Sequence, residues 1–247
     1  MSFELIALLV AGAAAGGFIN GLAGFGTALM ALGLWLQILP PWQAVAIAAA
    51  MSVISGVQSI WLIRKEMRSG IRRVPRFLLP ALIGIPLGAA VLERIDPTPL
   101  KIALAGFMLL YGLFFMARRA LPTLRRERPL ADGLVGFLGG FLGGAASLSG
   151  ALPTMWCAMH PWSKGETSAV LQPYNVVILG LSTAVFAWRG YYTRETLLLM
   201  AIALPATLIS SQIGTLVFRR LSDAAFRRLL IWLLFGAGLL LAIREAF

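Results

Sequence analysis

Charge is what this chain has least of. Asp, Glu, Lys and Arg make up 13% of its 247 residues, against roughly 25% in a soluble domain, and the deficit excludes an ordinary soluble globular fold. Cys157 is the single cysteine, so neither an intramolecular disulfide nor a cysteine-based zinc site can form. His160 is the single histidine and cannot build a histidine cluster. No Asp, Glu, Lys or Arg stands squarely inside an apolar run, which removes the usual intramembrane carboxylate of a proton relay. The glycine runs lack the Lys-Ser/Thr ending of a nucleotide-binding loop, which argues against direct drive by ATP. The inventory left for catalysis is poor; no enzyme activity, metal or cofactor is expected.

What is present in excess is apolar surface. Hydrophobic residues make up 59% of the chain and the mean hydropathy is +0.85, the values of an all-α integral membrane protein. About 20 apolar residues make one helical span, so the length accommodates up to about eight spans with short loops and no separate soluble domain. The net charge of +11 sits between apolar runs, where Lys and Arg set orientation and do not signal nucleic acid. The first apolar run lacks a basic leader, carries Glu4 and continues far past any cleavage point; it reads as a mature membrane segment, not a signal peptide.

The chain repeats itself. Gly16-Gly17-Phe18-Ile19-Asn20-Gly21-Leu22-Ala23-Gly24-Phe25-Gly26-Thr27 returns as Gly139-Gly140-Phe141-Leu142-Gly143-Gly144-Ala145-Ala146-Ser147-Leu148-Ser149-Gly150. Pro40-Pro41-Trp42 returns as His160-Pro161-Trp162. The whole is one transmembrane domain, 1–247, with repeat one at 1–120 and repeat two at 130–247. Each repeat opens with a glycine-broken tract, helices 3–20 and 26–38 in the first and the tract 133–159 in the second. Three spans follow in each: 44–63, 77–92 and 100–116, then 168–188, 197–218 and 229–243. Pro80 and Pro86 predict kinks in the second of these, and Gly84 and Gly88 predict close helix packing there.

Two topologies fit. If each broken tract crosses once, there are eight spans and the repeats are parallel. If each is re-entrant and returns to its side of entry, every repeat crosses three times and the second is inverted. The inverted arrangement gathers more Lys and Arg on the side of the 64–76 loop and is favoured by the positive-inside rule. In both, the basic loops 64–76 and 118–128 are cytoplasmic.

Broken helices at membrane depth free backbone N–H groups and point helix N-termini into the protein, chemistry that suits an anion. The donors expected are Asn20, Gly24, Phe25, Gly26 and Thr27 in the first repeat and Ser147, Ser149 and Gly150 in the second. The bland alternative is that the glycines only allow close packing; two copies carrying polar side chains favour a site. Ser52, Ser55, Gln58 and Ser59, like Ser182 and Thr183, are polar within apolar runs, a place where most hydroxyls bond back to their own helix. Gln172-Pro173-Tyr174-Asn175 is the stronger signal, because an amide is costly to bury; Gln172, Tyr174, Asn175 and Ser52 join the expected site. His160, Lys164 and Glu166 read as interfacial anchors, and Cys157 as apolar filler.

These residues resemble the sulfite exporter TauE/SafE family of membrane permeases. The resemblance rests on Ala15 to Gly26, the short apolar segment up to Pro40-Pro41, the Ala44-Val45-Ala46 helix start and the repetition around Gly139 to Gly150. It covers essentially the whole chain. It implies transport of sulfite, sulfonates or another small organosulfur or organic anion across the bacterial inner membrane. Phe25-Gly26-Thr27-Ala28 stands where the family has denser glycine, and Met51-Ser52 where it has a Thr-Ser pair, departures that leave the substrate open. The expected function is a secondary carrier working by alternating access. A passive anion channel and a non-transport scaffold subunit are the alternatives, and a coupling proton or other ion and a homo-oligomer stay open.

Overall fold

The computed structural model describes residues 3–63, 71–94 and 128–222, with isolated positions outside those stretches. Among the described residues are eight α-helices and no strand. They are α1 (Phe3–Ala23), α2 (Thr27–Trp35), α3 (Pro41–Ile63), α4 (Val74–Leu92), α5 (Pro129–Ala146), α6 (Ala151–Ala158), α7 (Lys164–Trp188) and α8 (Arg194–Arg220). All but α2 and α6 are long and apolar enough to cross a membrane. The spans expected at 100–116 and 229–243 fall largely outside the described residues, as do 64–70 and 118–127 of the basic loops.

α7 and α8 start a few residues earlier than hydropathy places them, because capping side chains set their starts. Ser163 accepts from the Glu166 N–H while the Glu166 carboxylate accepts from the Ser163 N–H, a capping box that starts α7 at Lys164. Thr193 accepts from the Thr196 N–H and starts α8. Pro41 opens α3 where its missing N–H has no cost.

The short helix α2 turns back along α1. Thr27 lies against Gly16 and Trp35 against Gly12, and the Trp35 indole donates to the Leu9 carbonyl at 3.1 Å. Nine residues rise only about 14 Å, less than half of the roughly 30 Å hydrocarbon core. In the same way α6 turns back along α5. Ser149 and Pro153 lie against Gly139, and the Trp156 indole donates to the Asp132 carboxylate at 2.7 Å.

Two helix pairs meet backbone to backbone. Gly17 and Gly21 of α1 face Thr207 and Ser211 of α8, and Gly214 faces Phe18 and Leu22. In the second pair Gly136, Gly140 and Gly144 of α5 face Phe77, Ala81 and Ile85 of α4. Numbers climb together in each pair, so the partners run in the same direction. α3 also runs with α8, since Gln43 bonds Thr196 at 3.1 Å and Ser59 lies 3.3 Å from Thr215. Against α7, however, α3 is reversed: Gly56 meets Val176, while Ala46 accepts from Tyr192, just past the end of α7.

The two ends of the bundle differ. At one end Arg73 pairs with Glu166 at 3.7 Å, Arg76 with Asp132 at 4.0 Å, Lys164 donates to the Phe218 and Leu221 carbonyls, and Arg219 donates to the Leu62 carbonyl. His160 is buried there, stacked on Trp162 with centroids 4.7 Å apart. At the other end Arg189 pairs with Glu93 at 2.6 Å, and Trp42 and Tyr191 line an open cavity of about 360 Å³. Leu79, Ile83 and Leu87 form an exposed apolar stripe on α4, suited to hydrocarbon.

Backbone contact makes the paired glycines intolerant. Gly140→Leu forces a side chain into the Ala81 backbone and is expected to cost about 1–3 kcal/mol or more, whereas Gly180→Ala, with open space at its Cβ, leaves stability unchanged or slightly raised. Thermal unfolding of the two variants in detergent checks the contrast.

Candidate substrate site

The tips of the two hairpins meet inside the protein. The first tip runs Gly24-Phe25-Gly26, and its turn needs φ of +76° at Gly24 and +100° at Gly26, angles that glycine adopts without strain. The second tip begins at Ser147, the one described residue other than glycine with positive φ, at +56°. Its hydroxyl donates to the Val45 carbonyl of α3 at 2.9 Å and its N–H to the Gly143 carbonyl at 3.0 Å, which hold it there. A Cβ on Gly150 would lie 2.5 Å from the Phe25 Cβ, so the tips touch and glycine is required at the contact.

Asn175 of α7 joins them. Its amide donates to the Gly24 carbonyl at 2.9 Å and accepts from the Ser149 hydroxyl at 2.8 Å, and its side chain lies against Gly150. One turn earlier on α7, Gln172 packs its amide against Gly24. Gln172 is 2% exposed, and neither of its amide atoms hydrogen-bonds another described residue; Oε1 is fully buried. An unpaired buried amide is costly and marks a place where a further polar group fits.

Two helix N-termini open onto this junction. α2 starts after Gly26 and α6 after Gly150, and neither has a side-chain cap. The first N–H groups of a helix have no intrahelical acceptor and carry the positive end of its dipole. Thr27, the first residue of α2, is fully buried with its hydroxyl unpaired, and so is the Thr154 hydroxyl on α6. The described cations lie at the helix ends, so among the described residues it is the two helix dipoles that bring partial positive charge to the junction. Chemically it can offer hydrogen-bond donors to a small anion and neutral acceptors at the Gln172 amide and the Thr27 and Thr154 hydroxyls.

The structure thus gathers Gly24, Phe25, Ser149, Gly150, Gln172 and Asn175 at one point, with Gly26 and Thr27 at the head of α2. Asn20 is beside them, donating to the Ser52 carbonyl at 3.2 Å and the Ser55 hydroxyl at 2.6 Å. The Ser52 hydroxyl bonds back to Ala48 at 2.7 Å. Tyr174 turns away, donating to the Gly136 carbonyl at 2.9 Å and meeting Phe77 edge-on. Ser55 belongs with the junction and was not among the expected site residues. The 120-residue displacement that relates Pro40-Pro41-Trp42 to His160-Pro161-Trp162 also carries Ser55 onto Asn175, and that was the available signal. Asp132 was likewise missed as a buried group; it lies in the first turn of α5, held by Trp156 and Arg76.

Comparison with known proteins agrees with the resemblance: the profile of the sulfite exporter TauE/SafE family matches residues 8–241, nearly the whole chain. No curated protein and no solved structure matches.

Replacing Asn175 with Leu strands the Gly24 carbonyl and the Ser149 hydroxyl. A loss of about 1–3 kcal/mol for each group left unpaired is expected, larger than for Ser55→Ala, which removes one partner of Asn20. Unfolding midpoints of the two variants test the order.

Proposed function

The chain belongs to the sulfite exporter TauE/SafE family, a family of membrane transporters, and from that premise we propose a secondary carrier for a small anion of the sulfite or sulfonate type. The observation that carries the reading is the contact at Phe25 and Gly150 between two helix N-termini without side-chain caps, beside the unpaired Gln172 amide. Partial positive charge without a fixed cation binds an anion and also lets it leave. Asn20, Gly24, Gly26, Thr27, Ser149, Gly150, Gln172 and Asn175 contribute to this site, with Phe25 as its apolar wall. Ser52, Ser147 and Tyr174 hold the surrounding backbone.

The mechanism proposed is alternating access between two inverted repeats, 1–120 and 130–247. Support comes from strand-like reciprocity in the packing: α1 lies on α8 as α5 lies on α4, and α1, α3 and α8 run one way while α4, α5 and α7 run the other. Returning hairpins of about 14 and 12 Å fit re-entrant tracts. Phe25, Ser149, Gln172 and Asn175 are buried, so a rocking of one repeat against the other has to open the junction. A carrier is favoured over a channel because polarity is concentrated at one junction, while a pore needs it along a continuous path. The membrane proposed is the bacterial inner membrane, with the end bearing Arg73, Lys164 and Arg219 in the cytoplasm.

Flux of sulfite, sulfonates and carboxylates into proteoliposomes tests the reading. Gly24→Val puts a β-branched residue at φ +76° against Gln172, and Ser149→Val removes the bond to Asn175. Both variants are expected to insert normally and to lose at least about 90% of the flux, as for a site built to a single geometry. Normal transport by both would reduce the glycine tips to packing features.

A further inference from the structure

Gln172 is the one amide at the junction whose acceptor and donor are both uncommitted, fixed in one plane where the Thr27 and Thr154 hydroxyls are free to rotate, and that determines which protonation state of an oxyanion fits. Its amide is 2% exposed, lies against Gly24 and bonds no other described residue. Asn175 and its partners are committed: the Asn175 oxygen takes the Ser149 hydroxyl, and the Asn175 nitrogen and the Gly24 carbonyl take each other; the unpaired Thr27 and Thr154 hydroxyls can turn to donate or accept and so do not discriminate. A fully deprotonated oxyanion brings acceptors only. It can use the Gln172 N–H but leaves the carbonyl oxygen buried and unpaired, a loss comparable to a missing hydrogen bond. An oxyanion that keeps one hydroxyl pairs with the amide at both ends, O–H to Oε1 and Nε2–H to oxygen. Exchanging the two amide atoms leaves the argument unchanged.

Charge points the same way. The described Lys, Arg and His residues all lie toward the helix ends, so the junction holds an anion with dipoles only. Desolvation cost scales with the square of the charge, making a dianion about four times as expensive as a monoanion. We infer that the site binds and carries its oxyanion as the singly protonated monoanion, with Gln172 reading the hydroxyl. The proton then travels on the substrate and is released to water with it. This inference rests on the anion-carrier reading above.

The test uses the full chain in liposomes with the same pH on both sides, and compares sulfite with methanesulfonate, a monoanion that has no second proton to lose. Below saturation, sulfite flux at fixed total concentration is expected to fall about tenfold per pH unit above the second pKa of sulfite, while methanesulfonate flux stays level. Gln172→Met is expected to lower sulfite flux roughly ten- to a hundredfold more than methanesulfonate flux. The wild-type pH profile decides the matter alone if that variant fails to fold. Sulfite flux that holds or rises as the dianion accumulates overturns the inference and leaves the carrier reading standing. So does a methanesulfonate profile that falls in parallel, since a protein group is then titrating. No flux of either anion at any pH overturns both.

Discussion

A peptide group left unpaired in hydrocarbon costs several kcal/mol, and this chain interrupts two helices inside the protein, so everything around the interruptions is arranged to satisfy the backbone they expose. The solution is reciprocal. The Gly24 carbonyl of the first tip is met by Asn175 from the second half, and the Ser147 hydroxyl of the second tip reaches the Val45 carbonyl in the first. Thr215, near the end of α8, donates to the Gly21 carbonyl at 3.2 Å. Each half closes the backbone of the other, which explains why α1 packs on α8 and α5 on α4 with glycine at every close approach. Among the side chains at the junction, what remains unpaired after that exchange is a short set that a ligand can use: the Thr27 and Thr154 hydroxyls and the Gln172 amide, beside two helix starts without side-chain caps.

The halves solve their shared problem with different chemistry. Each returning helix is tied to its partner by an indole N–H, but Trp35 donates to a neutral backbone carbonyl at Leu9 while Trp156 donates to the Asp132 carboxylate. The second tie is charge-assisted and therefore stronger, and it sits beside Arg76 and the aromatic stack of Trp156, His160 and Trp162. At the tips, glycine supplies the left-handed turn in the first half, whereas a hydrogen-bonded serine supplies it in the second. One hairpin is thus anchored by charge at the basic end and the other by a neutral bond at the opposite end, on a common plan.

Much of this was legible in the residues. Scarcity of charge and the apolar runs gave the helical membrane class, and the returning glycine motif gave the family to which the chain belongs. The polar set was readable because buried amides are rare, which singled out Gln172 and Asn175. Helix starts were not readable from hydropathy, since Ser163 with Glu166 and Thr193 act through caps that extend α7 and α8 into polar sequence. Partners were not readable either. Nothing local distinguishes Asn175, which bridges the tips, from Tyr174, which turns to Gly136; one residue of helical rotation separates them, and only the packed neighbours decide which way each points. Asp132 was passed over because it opens a helix, a position where an acidic residue is usually solvated and merely complements the helix dipole.

The central claim is that the meeting of the two tips is where the anion sits. Anomalous scattering from crystals grown with selenite, an oxyanion of the same shape and charge class as sulfite, locates it directly. The account predicts a selenium peak beside Gly26 and Gly150 within hydrogen-bonding reach of Gln172. A peak elsewhere in the protein, with the two tips still in contact and Gln172 unpaired, would contradict it.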